Sequence, residues 1–96
     1  MILTIYYCTS ILVFMNNNLK EFIKTVKNLK TEEEVEEFFK AIYTPKELME
    51  IPTRLEIVRL LKQKVSQHEI ANKLKVGIAT VTRGSKELQK GHFKNI

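Results

Sequence analysis

The side chains best spaced for chemistry lie between Ser66 and Leu88, in the run SQHEIANKLKVGIATVTRGSKEL. The chemistry they suit is recognition. Ser66 can cap a helix, and Glu69, three residues on, can reach back to the Ser66 amide to make a capping box. Ile70, Ala71, Leu74, Ile78 and Val81 supply the apolar positions that hold two short helices together at a steep angle. Ala79, Thr82 and Lys86 then face outward on the second helix, and such small or basic side chains tolerate a close approach to DNA. The pattern is a helix-turn-helix over 66–88, and it predicts sequence-specific DNA binding.

Other reactive constellations are missing from the sequence. It has no phosphate-cradling glycine loop and no His/Cys cluster at metal-ligand spacing, and neither His68 nor His92 has an evident partner. The carboxylates crowd into Glu32–Glu37, which reads as the solvated start of a helix favoured by its dipole. The expectation is a protein that is not an enzyme and binds no metal. Cys8 is the only cysteine, so no internal disulfide can form, and nothing points to secretion. A cytoplasmic location follows as the expectation.

Charge is unevenly distributed. Residues 1–51 hold six Lys against eight Glu, a net of −2, whereas residues 52–96 hold ten Lys and Arg against three Glu, a net of +7. The basic half is the one carrying the helix-turn-helix, as a phosphate-binding surface requires. A basic surface alone often serves only solubility, and its coincidence with the motif is what favours DNA.

Helical periodicity must position these residues, and the predicted class is all-α: one small helical domain over 15–96. At this size the buried core is modest and dimerisation is the expected support. Asn16–Asn18 can cap a helix in which Leu19, Phe22, Ile23 and Val26 form a stripe. Thr31 and Glu34 make a capping box before Val35, Phe38, Phe39 and Ile42, and Thr44-Pro45-Lys46-Glu47 opens the next helix. Pro52 predicts a kink or break near Glu50–Pro52, since proline removes a helical hydrogen bond. Leu55, Ile57, Val58, Leu60 and Leu61 then form a buried helix ending near Lys64. The opening MILTIYYCTSILVFM is apolar but too short to span a bilayer, which takes about 20 residues. Residues 1–14 are expected to precede a true start at Met15. A β-prone tail on the dimer is the second account and a membrane anchor the third.

From Tyr43 to Leu88 the order of TP, TR, IV, SQ, GIAT and TRGS closely resembles the Trp operon repressor family, and GIATVTRGS carries most of the specificity. The resemblance implies an intertwined, all-helical homodimer on double-stranded operator DNA, with L-tryptophan as corepressor and no other cofactor. It implies that Arg54 and Arg83 sandwich the indole, that Arg83 and Thr44 hold the carboxylate, and that Thr80, Gly84 and Val58 line the pocket. The ligand ammonium would meet carbonyls near Ala41 and Tyr43 of the other subunit, with Glu87 beside it. On DNA it implies Ile78, Ala79 and Thr82 at base edges, with Gln67 and His68 near the backbone and groove edge. Lys86 and Lys90 are phosphate contacts by charge and placement. Ile78 keeps an equal second reading, burial in the turn. Gly84 within a helix costs about 1 kcal/mol relative to alanine, which a close ligand contact would justify.

The sequence departs from that pattern at four places. His68 and Ala71 replace basic residues, so the operator need not be the usual one. Lys75 holds the turn position usually given to glycine, where a left-handed backbone costs roughly 1–2 kcal/mol. Glu87 stands where a small hydroxyl is common, and would either pair with the ligand amine or mark a different ligand. The short stretch after the recognition helix is expected to leave more of the dimer interface to the N-terminal helices. Two other functions stay open: a relative that is constitutive or senses another small molecule, and a protein-interaction module whose helix-turn-helix serves only packing.

Overall fold

A computed structural model describes residues 17–96, which form five helices and no strand. The expectations for residues 1–14 and for Cys8 lie outside the described residues. The chain divides into two compact units, one ending at Ile42 and the other covering Tyr43–Ile96.

In the first unit, α1 covers 17–28 and α2 covers Glu32–Ile42. Residues 17 and 18 are already helical, so neither is the expected cap of α1. Phe22 and Phe38 meet with ring centroids 5.8 Å apart and planes tilted by 42°, a favourable non-stacked geometry. The box predicted for α2 is only half made. Thr31 Oγ1 accepts from the Glu34 amide, but the Glu34 carboxylate accepts from the Lys30 amide, one residue earlier than a box requires. No described residue of this unit is buried.

In the second unit, α3 (Pro45–Lys62), α4 (Gln67–Leu74) and α5 (Ile78–Gln89) surround Ile57, Leu60, Ile70 and Val81, with Leu61, Val65, Ala71, Leu74 and Val76 packed around them. α3 starts on a complete capping box: the Glu47 amide donates to Thr44 Oγ1 and the Thr44 amide to Glu47 Oε1. The Thr44 amide, and to a lesser degree its hydroxyl, holds the Glu47 carboxyl below the usual carboxylate range.

Of the kink or break expected near Pro52, the break does not occur; the helix runs through the proline to Lys62. The residue is exposed, the Thr53 hydroxyl donates to the Met49 carbonyl at 2.8 Å, and burial of Ile57, Val58 and Leu60 one turn later anchors the continuing helix. Packing thereby overrides the local cost of one lost hydrogen bond.

Ser66 caps α4 by accepting from the Glu69 amide, without the reciprocal half of the expected box. At the other end Lys75 sits in the left-handed region (φ 55°, ψ 46°), the conformation anticipated for a position that favours glycine. It turns the chain sharply into α5, which begins after Gly77. Gly84 lets α5 approach α3: a Cβ there would lie 3.2 Å from Ile57 Cγ2 and 3.6 Å from Leu61 Cδ1. Helix crossing already accounts for this glycine. No described helix is long and apolar enough to cross a membrane.

Candidate ligand pocket and nucleic-acid interface

α3 and α5 enclose one side of an open pocket of about 560 Å³, a size that suits a small organic ligand. Ile51, Arg54, Leu55, Ile57 and Val58 line it from α3; Ala79, Thr80, Arg83, Gly84 and Glu87 line it from α5; Phe93 completes it. Most of this surface is apolar, with two guanidinium groups and one carboxylate at its margin. Arg54 makes only a loose contact with Glu50, at 3.9 Å and largely in solvent, so its guanidinium is weakly held. Arg83 is exposed. Arg54 and Thr80 also border a smaller cleft of about 380 Å³ against the Lys75–Gly77 turn.

Six of the seven ligand candidates meet here: Arg54, Val58, Thr80, Arg83, Gly84 and Glu87. Thr44 does not. It caps α3, ten residues and so roughly 15 Å of helix before Arg54. Glu87 is already committed. Its Oε1 lies 3.1 Å from Lys90 Nζ and its Oε2 lies 2.7 Å from His92 Nδ1. Lys90 first and His92 second hold its carboxyl below the usual range. His92, without an evident partner in the sequence, therefore has one. Lys90, expected on phosphate, is tied to Glu87 in this state. Among the described residues, no three His, Cys, Asp or Glu are grouped to hold a metal.

Sequence reasoning missed Ile51 and Phe93 and counted Leu55 and Ile57 as core alone. Leu55 could have been found, because it stands three residues before Val58 on the same helical face. Phe93 gave no such signal.

Four of the seven DNA candidates lie at the N-terminal ends of α4 and α5, whereas Thr82 and Lys86 lie further along α5 and Lys90 caps its C-terminus. Gln67 and His68 open α4; Ile78 and Ala79 open α5 and both are exposed. Ile78 is 42% exposed, so it is not buried in the turn, and Val81 and Ile70 hold the two helices together instead. Lys86 is exposed further along α5. Gly77 caps α5 with no side chain, and its first turn carries no acidic residue, so the amide end faces outward as a partial positive charge. Thr82 Oγ1 lies 2.8 Å from Gln67 Oε1 and 3.0 Å from the Ile78 carbonyl. The Thr82 hydroxyl, within reach of both oxygens, divides its one proton between the Gln67 side-chain carbonyl and the Ile78 carbonyl.

Comparison with known proteins gives a consistent result. The family model described as Trp repressor protein matches residues 17–95. A Trp operon repressor homolog of Vibrio vulnificus is 38% identical over 71 residues, covering 73% of this chain and 70% of the relative. Relatives with the same printed name occur in Actinobacillus succinogenes (39% identical, 71% of this chain and 68% of the relative) and in Chlamydia caviae (36%, 76% and 73%).

Proposed function

The chain belongs to the Trp repressor family, and from that premise we propose that it is an L-tryptophan-dependent, DNA-binding repressor of tryptophan biosynthesis or uptake genes. The relatives named Trp operon repressor homolog support the repressor role. The observation that carries the ligand part is that Arg54 and Arg83, on two different helices, border one apolar floor that includes Ile57 and Val58. Guanidinium planes stack on an aromatic face and offer donors to a carboxylate. Thr80 and Gly84 line the same pocket, with Glu87 at its edge near the ligand amine. Thr44 lies outside this pocket, so its part in holding the carboxylate calls for a second copy of the chain, as do the carbonyls near Ala41 and Tyr43. A cytoplasmic homodimer fits this need. It would also cover Leu19, Ile23 and Ile42, which one chain leaves exposed.

The ligand acts on DNA binding through α5. Thr80, Arg83 and Gly84 belong to that helix, so ligand binding favours whichever orientation of α5 completes the pocket, a population shift driven by differential affinity. Ile78, Ala79 and Thr82 then meet base edges, Gln67 and His68 approach the groove edge, and Lys86 and Lys90 contact phosphates.

Calorimetric titration of L-tryptophan tests this reading. The sequence has no tryptophan of its own, so ligand fluorescence has no background. Saturable binding of one ligand per chain is expected. Arg83→Ala should lose ligand and operator binding together, whereas Thr82→Ala should weaken operator binding and spare the ligand. A folded protein that binds no tryptophan overturns the corepressor role. That outcome leaves a constitutive regulator or a sensor of another small molecule, the reading favoured by a Glu87 carboxylate committed to Lys90 and His92.

A further inference from the structure

The segment after α5 folds back along α3 in a conformation that needs explaining. Its backbone enters the left-handed region at Gly91 (φ 92°) and again at Phe93 (φ 64°). Glycine adopts that region freely; a bulky aromatic does not. Several contacts hold Phe93 there. Lys62 Nζ, on α3, donates to the main-chain oxygens of both Phe93 and Ile96. The His92 amide donates to the Glu87 carbonyl at 3.3 Å, and the His92 ring meets the Glu87 carboxylate at 2.7 Å. The Phe93 ring, edge-on to His92 with centroids 6.5 Å apart, thereby becomes a wall of the pocket.

The other apolar walls, Ile51, Leu55, Ile57, Val58 and Ala79, are carried on the backbones of α3 and α5. Ile57 and Val58 are buried in the helical core, and Gly84 has no side chain. Phe93 lies outside the helices and can be repositioned without disturbing them. We propose that Phe93 is a specificity-determining residue that bounds the ring size of an aromatic amino acid in this pocket, and that Lys62 is its positioning residue. The inference rests on the reading of the pocket as an amino-acid site. A phenyl ring against an indole adds an aromatic contact and denies the same space to ring substituents.

The test compares full-length wild type, Phe93→Ala, Phe93→Leu, Lys62→Gln and Lys62→Arg by calorimetry with L-tryptophan, ring-methylated tryptophans, L-tyrosine and L-phenylalanine. Phe93→Ala should weaken tryptophan about tenfold and raise the affinity of methylated tryptophans relative to tryptophan by about tenfold. Phe93→Leu, which keeps an apolar side chain, should shift the ratio less. Lys62→Gln should shift it in the same direction with unchanged helical circular dichroism, and Lys62→Arg should restore it. If wild type binds tryptophan and the ratio stays fixed in Phe93→Ala and Phe93→Leu, the proposal is overturned and the tryptophan reading stands. If wild type prefers tyrosine or phenylalanine and Phe93→Ala abolishes that preference, the tryptophan reading falls and the proposal stands. Failure of wild type to bind any aromatic amino acid overturns both.

Discussion

Residues 17–42 and 43–96 are both built from amphipathic helices, yet they meet water differently. The second region buries Ile57, Val58, Leu60, Ile70 and Val81, while the first buries no described residue and leaves Leu19, Ile23 and Ile42 each about half exposed (47–56%). The number of helices explains the difference. Two helices can share a seam, as Phe22 and Phe38 do, but a side chain is enclosed only when a third helix closes over it. α3, α4 and α5 achieve this, so the region carrying the pocket and the helix-turn-helix is supported by its own core. The N-terminal pair keeps an apolar stripe whose burial needs more protein.

The contrast breaks most readily at the core. Ile70→Ala should destabilise the protein by about 3 kcal/mol, since it empties a fully enclosed site. Ile23→Ala should cost under about 0.5 kcal/mol within one chain. Urea titrations at several protein concentrations check both: a large loss for Ile23→Ala that fades on dilution would show the stripe to be an interface. Gly84→Ala comes next. The helix gains about 1 kcal/mol in propensity, but the added methyl meets the buried Ile57 Cγ2 at 3.2 Å, where the core cannot yield. Overpacking typically costs 1–3 kcal/mol, so a net destabilisation of about 1 kcal/mol is expected. A gain in melting temperature would show that α3 and α5 cross less tightly than described.

Lys75→Gly should act in the opposite direction, stabilising the C-terminal region by up to about 1 kcal/mol as it relieves the left-handed backbone. Thermal unfolding measures it, and no change would mean the turn is relaxed with lysine. The smallest effect is one of pH. Glu47 is held below the usual carboxylate range by its bonds to Thr44, so its folded form is favoured when ionised. The cap is therefore fully present above the ordinary carboxylate range and is lost as pH falls through the lowered folded value. The Thr44 amide resonance should move through that acid window, and Glu47→Gln should abolish the movement.

Local chemistry made much of the fold legible. Thr44 and Glu47 announced α3, Ser66 announced α4, and the spacing of Ile70 and Val81 placed the helix-turn-helix core. Six pocket residues were legible through the resemblance of their motifs to a family pattern. Pro52 does not end the helix as it could have, because its penalty is local while the burial that outweighs a break lies further along α3. Phe93 was invisible for a related reason. Its position depends on Lys62, 31 residues earlier, and on a left-handed aromatic that no spacing rule predicts.

The Thr82–Gln67 bond has a consequence for selectivity. Both side chains are base-reading or groove-edge candidates, and in the free protein they satisfy one another at 2.8 Å. If the Thr82 hydroxyl proton is to be given to a base edge, as the proposed reading allows, this internal bond is exchanged for an external one. A correct sequence compensates the exchange, whereas an incorrect one leaves a polar group stranded, at about 1–3 kcal/mol. On the proposed reading of these two residues, the internal bond would bias the protein against lingering at sequences that offer neither side chain a partner.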